Sequence, residues 1–208
     1  MSSMKVEYIE FLVEEPSMEV ALRAILPSIL GGISFEVFQH QCKDELFARL
    51  PARLTGYRNW LRPGWRVVVV VDRDDDDCHE LKARLEKMAT AAGLVTKSNA
   101  GGSQFAVVNR VAIEELEAWY FGDWAAVRAA YPRASARVCS QANYRDPDAI
   151  PGGTWEALER ILQQSGYFKG GLRKIAAARA IAPHMVPARN RSRSFQVFRD
   201  ALIQMASQ

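Results

Sequence analysis

Through the first 130 residues the spacing of apolar positions switches repeatedly between two periods. KVEYIEFLV (Lys5 to Val13) and SFEVFQ (Ser34 to Gln39) predict strands, the second by its period-two alternation. Residues 67–71 are five consecutive valines. Valine is β-branched and stiff, so a short unbroken run predicts a strand buried on both faces, as in a parallel sheet. FAVVNRVAI predicts a fourth strand. Between the strands the period becomes helical. Residues 17–30 place Val20, Leu22, Ile25, Leu26 and Ile29 on one face, with Ser17 as cap and Gly31 and Gly32 as stop. KDELFARLPARLTGYRNWL predicts one or two helices broken near Pro51, and residues 75–92 a helix that Gly93 ends. EELEAWYFGDWAAVRAAY predicts another, ending before Pro132.

Strands alternating with helices are the mark of a parallel sheet covered on its faces, so residues 1–130 read as an α/β unit of about four strands. From Tyr131 the character changes. ASARVCSQANYRDPDAIPGG is loop-like, and TWEALERILQQ, GGLRKIAAARAIA and SFQVFRDALIQM predict helices, with Pro183 and Pro187 between the last two. Residues 131–208 are therefore read as a helical extension packed on the core.

Charge divides the chain at the same place. Residues 1–130 hold 15 Lys+Arg against 19 Asp+Glu, and residues 131–208 hold 12 against 5, so a net −4 is joined to a net +7. Such a split suits a metal site beside a phosphate-binding surface, and equally a solvated exterior of uneven charge. With 49% hydrophobic and 25% charged residues the composition is that of a folded globular protein. The three cysteines form no CxxC pair, which argues against a zinc ribbon or disulfide framework and suits a reducing cytoplasm. Glutamates interrupt the first 17 residues where a signal peptide needs an apolar core, and no stretch approaches the roughly 18 apolar residues of a membrane span. No export and no membrane insertion are expected.

The chemistry concentrates where strands end. Glu14 and Glu15 follow the first strand, and Asp72, Asp74, Asp75, Asp76 and Asp77 follow the valines. In open α/β sheets ligands bind outside the carboxyl ends of the strands. In extended chain, residues two apart point the same way, so Asp72 and Asp74 are expected to face one crevice. Converging carboxylates repel unless a cation sits among them, and hard oxygen ligands favour Mg²⁺ or Mn²⁺. Asp75, Asp76 and Asp77 fit a second task, capping the first turn of the following helix. Glu114 and Glu117, three apart, are expected to share a helix face at the end of the fourth strand, where a second metal could be completed. His40, His79 and His184 lack ligand spacing, and no GxSxG elbow supports serine hydrolysis.

A glutamate after the first strand and a DxD after a later one resemble the Toprim fold of topoisomerases, primases and overcoming-lysogenization-defect nucleases. More closely, FLVEEPSMEVALRAILPSIL, VVVVVDRDDDDC, VAIEELEAWYFGD, GYFKGGLRK and RSRSFQVF resemble the Toprim-like domain of unknown function 4276 family, over nearly the whole chain. The resemblance implies a Toprim-like α/β core with a C-terminal helical extension. It also implies Mg²⁺ (or Mn²⁺) bound by Glu14, Asp72 and Asp74, and action on a phosphodiester. Glu117 falls in the family's EaW motif, as a further metal ligand, and Lys169 in its YxK motif, as a catalytic candidate. Glu15 stands where most relatives have glycine, so a turn requiring positive φ would be strained there. A nucleophilic tyrosine in a separate domain, as topoisomerases need, has no room here, so simple hydrolysis is expected.

In the basic third, Lys169, Arg173, Lys174, Arg191 and Arg193 are candidate contacts to phosphates, along with Arg189, and Tyr167 or Phe168 could stack on a base. A solvated basic face is the competing account. The expected activity is a metal-dependent nuclease, acting on DNA rather than RNA, with a partner ATPase in an anti-phage or restriction-linked setting implied by the resemblance. A non-catalytic nucleic-acid-binding or partner subunit is the alternative. An aspartyl-phosphate receiver is disfavoured because its acid pair should follow the first strand.

Overall fold

The computed structural model describes residues 5–208; residues 1–4, the start of the segment weighed as a leader, lie outside them. Four strands, β1 (Tyr8–Val13), β2 (Ser34–Gln39), β3 (Trp65–Asp72) and β4 (Val107–Ala112), form one sheet in the order β2-β1-β3-β4. Every pairing is parallel, with Val13 opposite both Gln39 and Val70, and Asp72 opposite Ala112. This is the parallel α/β architecture of about four strands expected, and the valine strand lies inside the sheet.

The valine run is buried throughout because the sheet is covered on both sides. Val68 and Val70 pack on one side with Ile9, Phe11 and Val13 of β1 and with α1 (Pro16–Leu30). The same core takes in α4 (Leu116–Gly122), α5 (Trp124–Ala130), α6 (Thr154–Gln164), α7 (Lys174–Ile181) and α8 (Arg193–Ala206). Val67, Val69 and Val71 pack on the other side with α2 (Lys43–Trp60) and α3 (Cys78–Ala91). Each valine withdrawn from water contributes roughly 1.5 to 3 kcal/mol. The C-terminal helices thus share a core with β1, β3 and α1, and α7 and α8 both pack against α1.

Several local expectations are corrected. Pro51 does not break α2, which runs unbroken from Lys43 to Trp60. An interior proline costs about 3 kcal/mol, and the buried face of Leu46, Phe47, Leu50, Leu54 and Tyr57 offsets it. Ser17 does not cap α1; the helix starts at Pro16 behind an extended Glu15, and the Ser17 hydroxyl donates to the Glu15 carboxylate. EELEAWYFGDWAAVRAAY is two helices, not one, parted at Asp123 (φ −126°, ψ 68°). The buried Asp123 carboxylate accepts from the Val186 amide and twice from the Arg189 guanidinium, tying that break to the chain between α7 and α8.

Candidate functional site

From β1 the chain moves outward to β2, and from β3 it moves the opposite way to β4, so the topology reverses between β1 and β3. At such a switch point the two connections leave in opposite directions and open a crevice at the carboxyl ends. Glu14 and Glu15 follow β1 there and Asp72 ends β3, so the sheet brings Glu14 and Asp72 together. The Asp72 amide donates to Glu14 Oε2 at 3.1 Å. Strand alternation turns Asp72 to the side of Val68 and Val70, under the C-terminal helices, where it is 3% exposed.

Asp74 does not follow it. Period two ends with the strand, because Asp74 adopts φ +49°, and its amide donates to the carbonyl of Glu114, itself at φ +60°. The Arg73 guanidinium pairs with the Glu114 carboxylate, so the turns after β3 and β4 are bound to each other. The side chain of Asp74 is 46% exposed and accepts from Lys43 Nζ at 2.7 Å, which also reaches Asp76 at 2.8 Å. Of the three aspartates assigned to capping, only Asp77 caps, accepting from the His79 and Glu80 amides; α3 starts at Cys78 rather than Asp75. Glu15 is extended at φ −138°, so it carries none of the strain expected of a residue replacing glycine.

The helix after β4 starts at Leu116, so Glu114 and Glu117 do not share a helix face. Glu117, in the first turn of α4, is 1% exposed. Its neighbour Glu115, which the sequence did not single out, accepts from Thr154 Oγ1, the Trp155 amide and Lys174 Nζ at 3.3 Å. Lys174 Nζ also stands 3.9 Å from Glu15. A residue read as a phosphate contact is thus the internal counter-charge of the acids. Tyr120, also overlooked, is fully buried beside them.

Burial sets the protonation of this group. It lifts the Glu14 carboxyl to about 7, helped by Asp74 and Glu15 and opposed by Lys43 and the Asp72 amide. Burial likewise lifts Glu117 to about 7 against the attraction of Lys174. Asp72 is raised well above the carboxylate range by burial and by the charges of Glu15, Glu14 and Glu117. Burial alone would lower Lys174, but Glu117, Glu15, Glu115 and Asp72 together outweigh it and hold its ammonium above the lysine range.

Asp72 Oδ1, both carboxylate oxygens of Glu117 and the Tyr120 hydroxyl are buried without a hydrogen-bond partner. A buried carboxylate left ionised and unpaired is costly, so these oxygens call for a proton at low pH or a cation at higher pH. Among the described residues no three His, Cys, Asp or Glu side chains form a group able to hold a metal ion by themselves. Mg²⁺ needs no such cage, since it is commonly held by one or two carboxylates and keeps several waters. The unpartnered oxygens of Asp72 and Glu117 fit that requirement; Asp74, engaged by Lys43, stands outside it.

The other basic candidates lie on the surface. Lys169, Arg173, Arg191 and Arg193 are all exposed. Lys169 and Arg173 line a cleft of about 530 Å³, and Arg173 also lines one of about 310 Å³ with Glu15 and Lys174. Arg193 lines a different cleft near Cys78 and Arg110, and Arg191 donates its amide to Gly122. Arg189 is committed to Asp123. Among the described residues no helix is long and apolar enough to cross a membrane.

The all-parallel sheet, with Glu14 and Asp72 joined at the carboxyl edge of its two central strands, has the arrangement that the sequence resemblance implies. Residues 13–203 match the family described as domain of unknown function (DUF4276), and the chain belongs to that family. No curated protein matches it. Among solved structures it is similar to the C-terminal region of the Xanthomonas campestris pv. campestris OLD protein, at 19% identity and a TM-score of 0.41 over 95% of each chain.

Proposed function

We propose that the protein hydrolyses phosphodiester bonds of nucleic acid, with Mg²⁺ or Mn²⁺ held by Asp72 and Glu117 and with Glu14 beside them. The unpartnered, buried oxygens of Asp72 and Glu117 at the switch point carry this reading. Bound there, the ion supplies positive charge against that developing on the phosphate and acidifies nearby water. Glu14 takes or gives a proton: its carboxyl titrates near 7, it is only half-buried, and the Asp72 amide fixes its orientation. Lys174 balances the acids, and Lys43 pairs with Asp74 and Asp76 outside the centre. Lys169, Arg173, Arg191 and Arg193 contact phosphates, a role their exposure allows. The substrate is taken to be DNA, with a partner ATPase, on the strength of the sequence resemblance.

Incubation with linear, supercoiled and single-stranded substrates in Mg²⁺ or Mn²⁺ tests the proposal. Cleavage by the wild type and its loss in Asp72→Ala, Glu14→Ala and Glu117→Gln is the expected result. Equal cleavage by all four proteins refutes the site.

A further inference from the structure

We propose that the cleft beside the acid centre is a subsite for one unpaired nucleotide, which makes single-stranded nucleic acid the substrate class; this rests on the function proposed above. The cleft, of about 530 Å³, lies within the ~300 to 1,000 Å³ typical of small-ligand sites. Its lining joins rings to cations: Tyr131, Tyr167 and Phe168 with Lys169 and Arg173. Tyr131 is buried and meets both other rings edge to face, at centroid distances of 4.9 Å to Tyr167 and 5.5 Å to Phe168, which fixes their positions. The Arg133 guanidinium lies close over the Tyr167 ring at 4.2 Å, whereas the Arg173 guanidinium stands farther from the Phe168 ring, at 5.9 Å, so Phe168 is the more open of the two rings to a base.

Phe168 is held at φ +48°, a conformation that bulky residues rarely adopt and that glycine adopts freely. Three glycines lie within three residues of it, yet the phenyl ring stands at the strained position. Such strain persists where surrounding structure imposes it, and it commonly marks a ligand-binding residue.

Arg173 gives the cleft its direction. It lines the aromatic cleft and also the smaller one that reaches Glu15 and Lys174. A strand with one base on Phe168 therefore carries its phosphate past Arg173 toward Glu15 and Lys174, the counter-charge of Asp72 and Glu117. In a duplex that base is paired and stacked inside the helix, beyond reach of the ring, so the subsite selects unpaired nucleotides.

The test uses the full chain without divalent metal at low salt. A fluorescent oligothymidylate is compared by anisotropy with an abasic oligomer of equal length and with a blunt duplex. Stacking of one base is expected to give about tenfold tighter binding of the oligothymidylate than of the abasic strand. Phe168→Gly removes the ring at a φ that glycine adopts freely, and is expected to abolish the difference while its thermal melt stays cooperative. Arg173→Ala is expected to weaken both strands equally and to lower the salt slope by about one. Equal binding of the oligothymidylate and abasic strands by the wild type, or an unchanged difference in Phe168→Gly, overturns the subsite. Tighter binding of the duplex than of the oligothymidylate overturns it as well. Base discrimination without cleavage in Mg²⁺ or Mn²⁺ supports the subsite and removes hydrolysis; cleavage without discrimination does the reverse.

Discussion

Glu117→Gln isolates the electrostatic cost on which the proposed centre depends. In the folded chain the Glu117 carboxyl titrates near 7 against an ordinary 4.5, because burial penalises its charge. The native state therefore holds the proton more tightly than the unfolded chain does. Its contribution to stability is complete below about pH 4.5, falls as pH rises toward 7, and is constant above. At about 1.4 kcal/mol per pKa unit, the fall between those limits is about 3 kcal/mol. Glutamine keeps the shape and cannot ionise, so its stability does not follow that fall. A buried amide brings a penalty of its own, roughly 1 to 3 kcal/mol, but the same at every pH. The informative quantity is thus the change, not the offset. Urea unfolding of both proteins at pH 4 and pH 8 without divalent cations is the assay. The wild type should lose about 3 kcal/mol relative to Glu117→Gln between the two conditions. A wild-type-minus-variant difference that is the same at both pH values refutes the reasoning.

Three further outcomes are expected. Mg²⁺ at a hundred times its dissociation constant should stabilise the wild type at pH 8 by about 2.7 kcal/mol, measured by thermal melting, and Asp72→Asn should lose most of that gain along with cleavage. Lys174→Met removes the cation that opposes the raised carboxyls of Glu115 and Glu117, so its stability should fall more steeply than the wild type's from pH 5 to 8; parallel profiles would exclude Lys174 as counter-charge. Asp77→Ala removes the acceptor of two amides at the start of α3, so it should lower the urea midpoint and leave cleavage unchanged, separating the cap from the acids it adjoins in sequence.

Local chemistry made much of this legible. The valine run announced its strand because β-branched residues buried on two faces need no alternation, and the DxD announced the sheet edge because that strand ends there. What stayed hidden depends on contacts distant in sequence. Nothing in DRDDDD signals that Asp74 turns to φ +49°, since the hydrogen bond from its amide to the Glu114 carbonyl that fixes it crosses 40 residues. Lys174 sits among basic residues and was read with them, whereas its partners Glu15 and Glu115 lie far upstream. Glu115 looked like one more acid at a helix start; only the position of α4's first residue separates it from Glu114. Pro51 lies inside an unbroken helix where the sequence predicts a break, because a proline's local penalty is visible in sequence and the burial that offsets it is not.

The dependence of the acid centre on α7 bears on how the protein is made. Synthesis delivers β1, β3 and β4 before Lys174 exists, so the acids first meet water, where their charges are fully solvated. Docking of the last third onto α1 then desolvates Asp72 and Glu117 and brings their counter-charge in the same step. A ribosome stalled before residue 174 would hold a sheet carrying Glu14 and Asp72 with the site still open to solvent. Docking of α7 on α1, rather than formation of the sheet, is the event that closes the site from solvent.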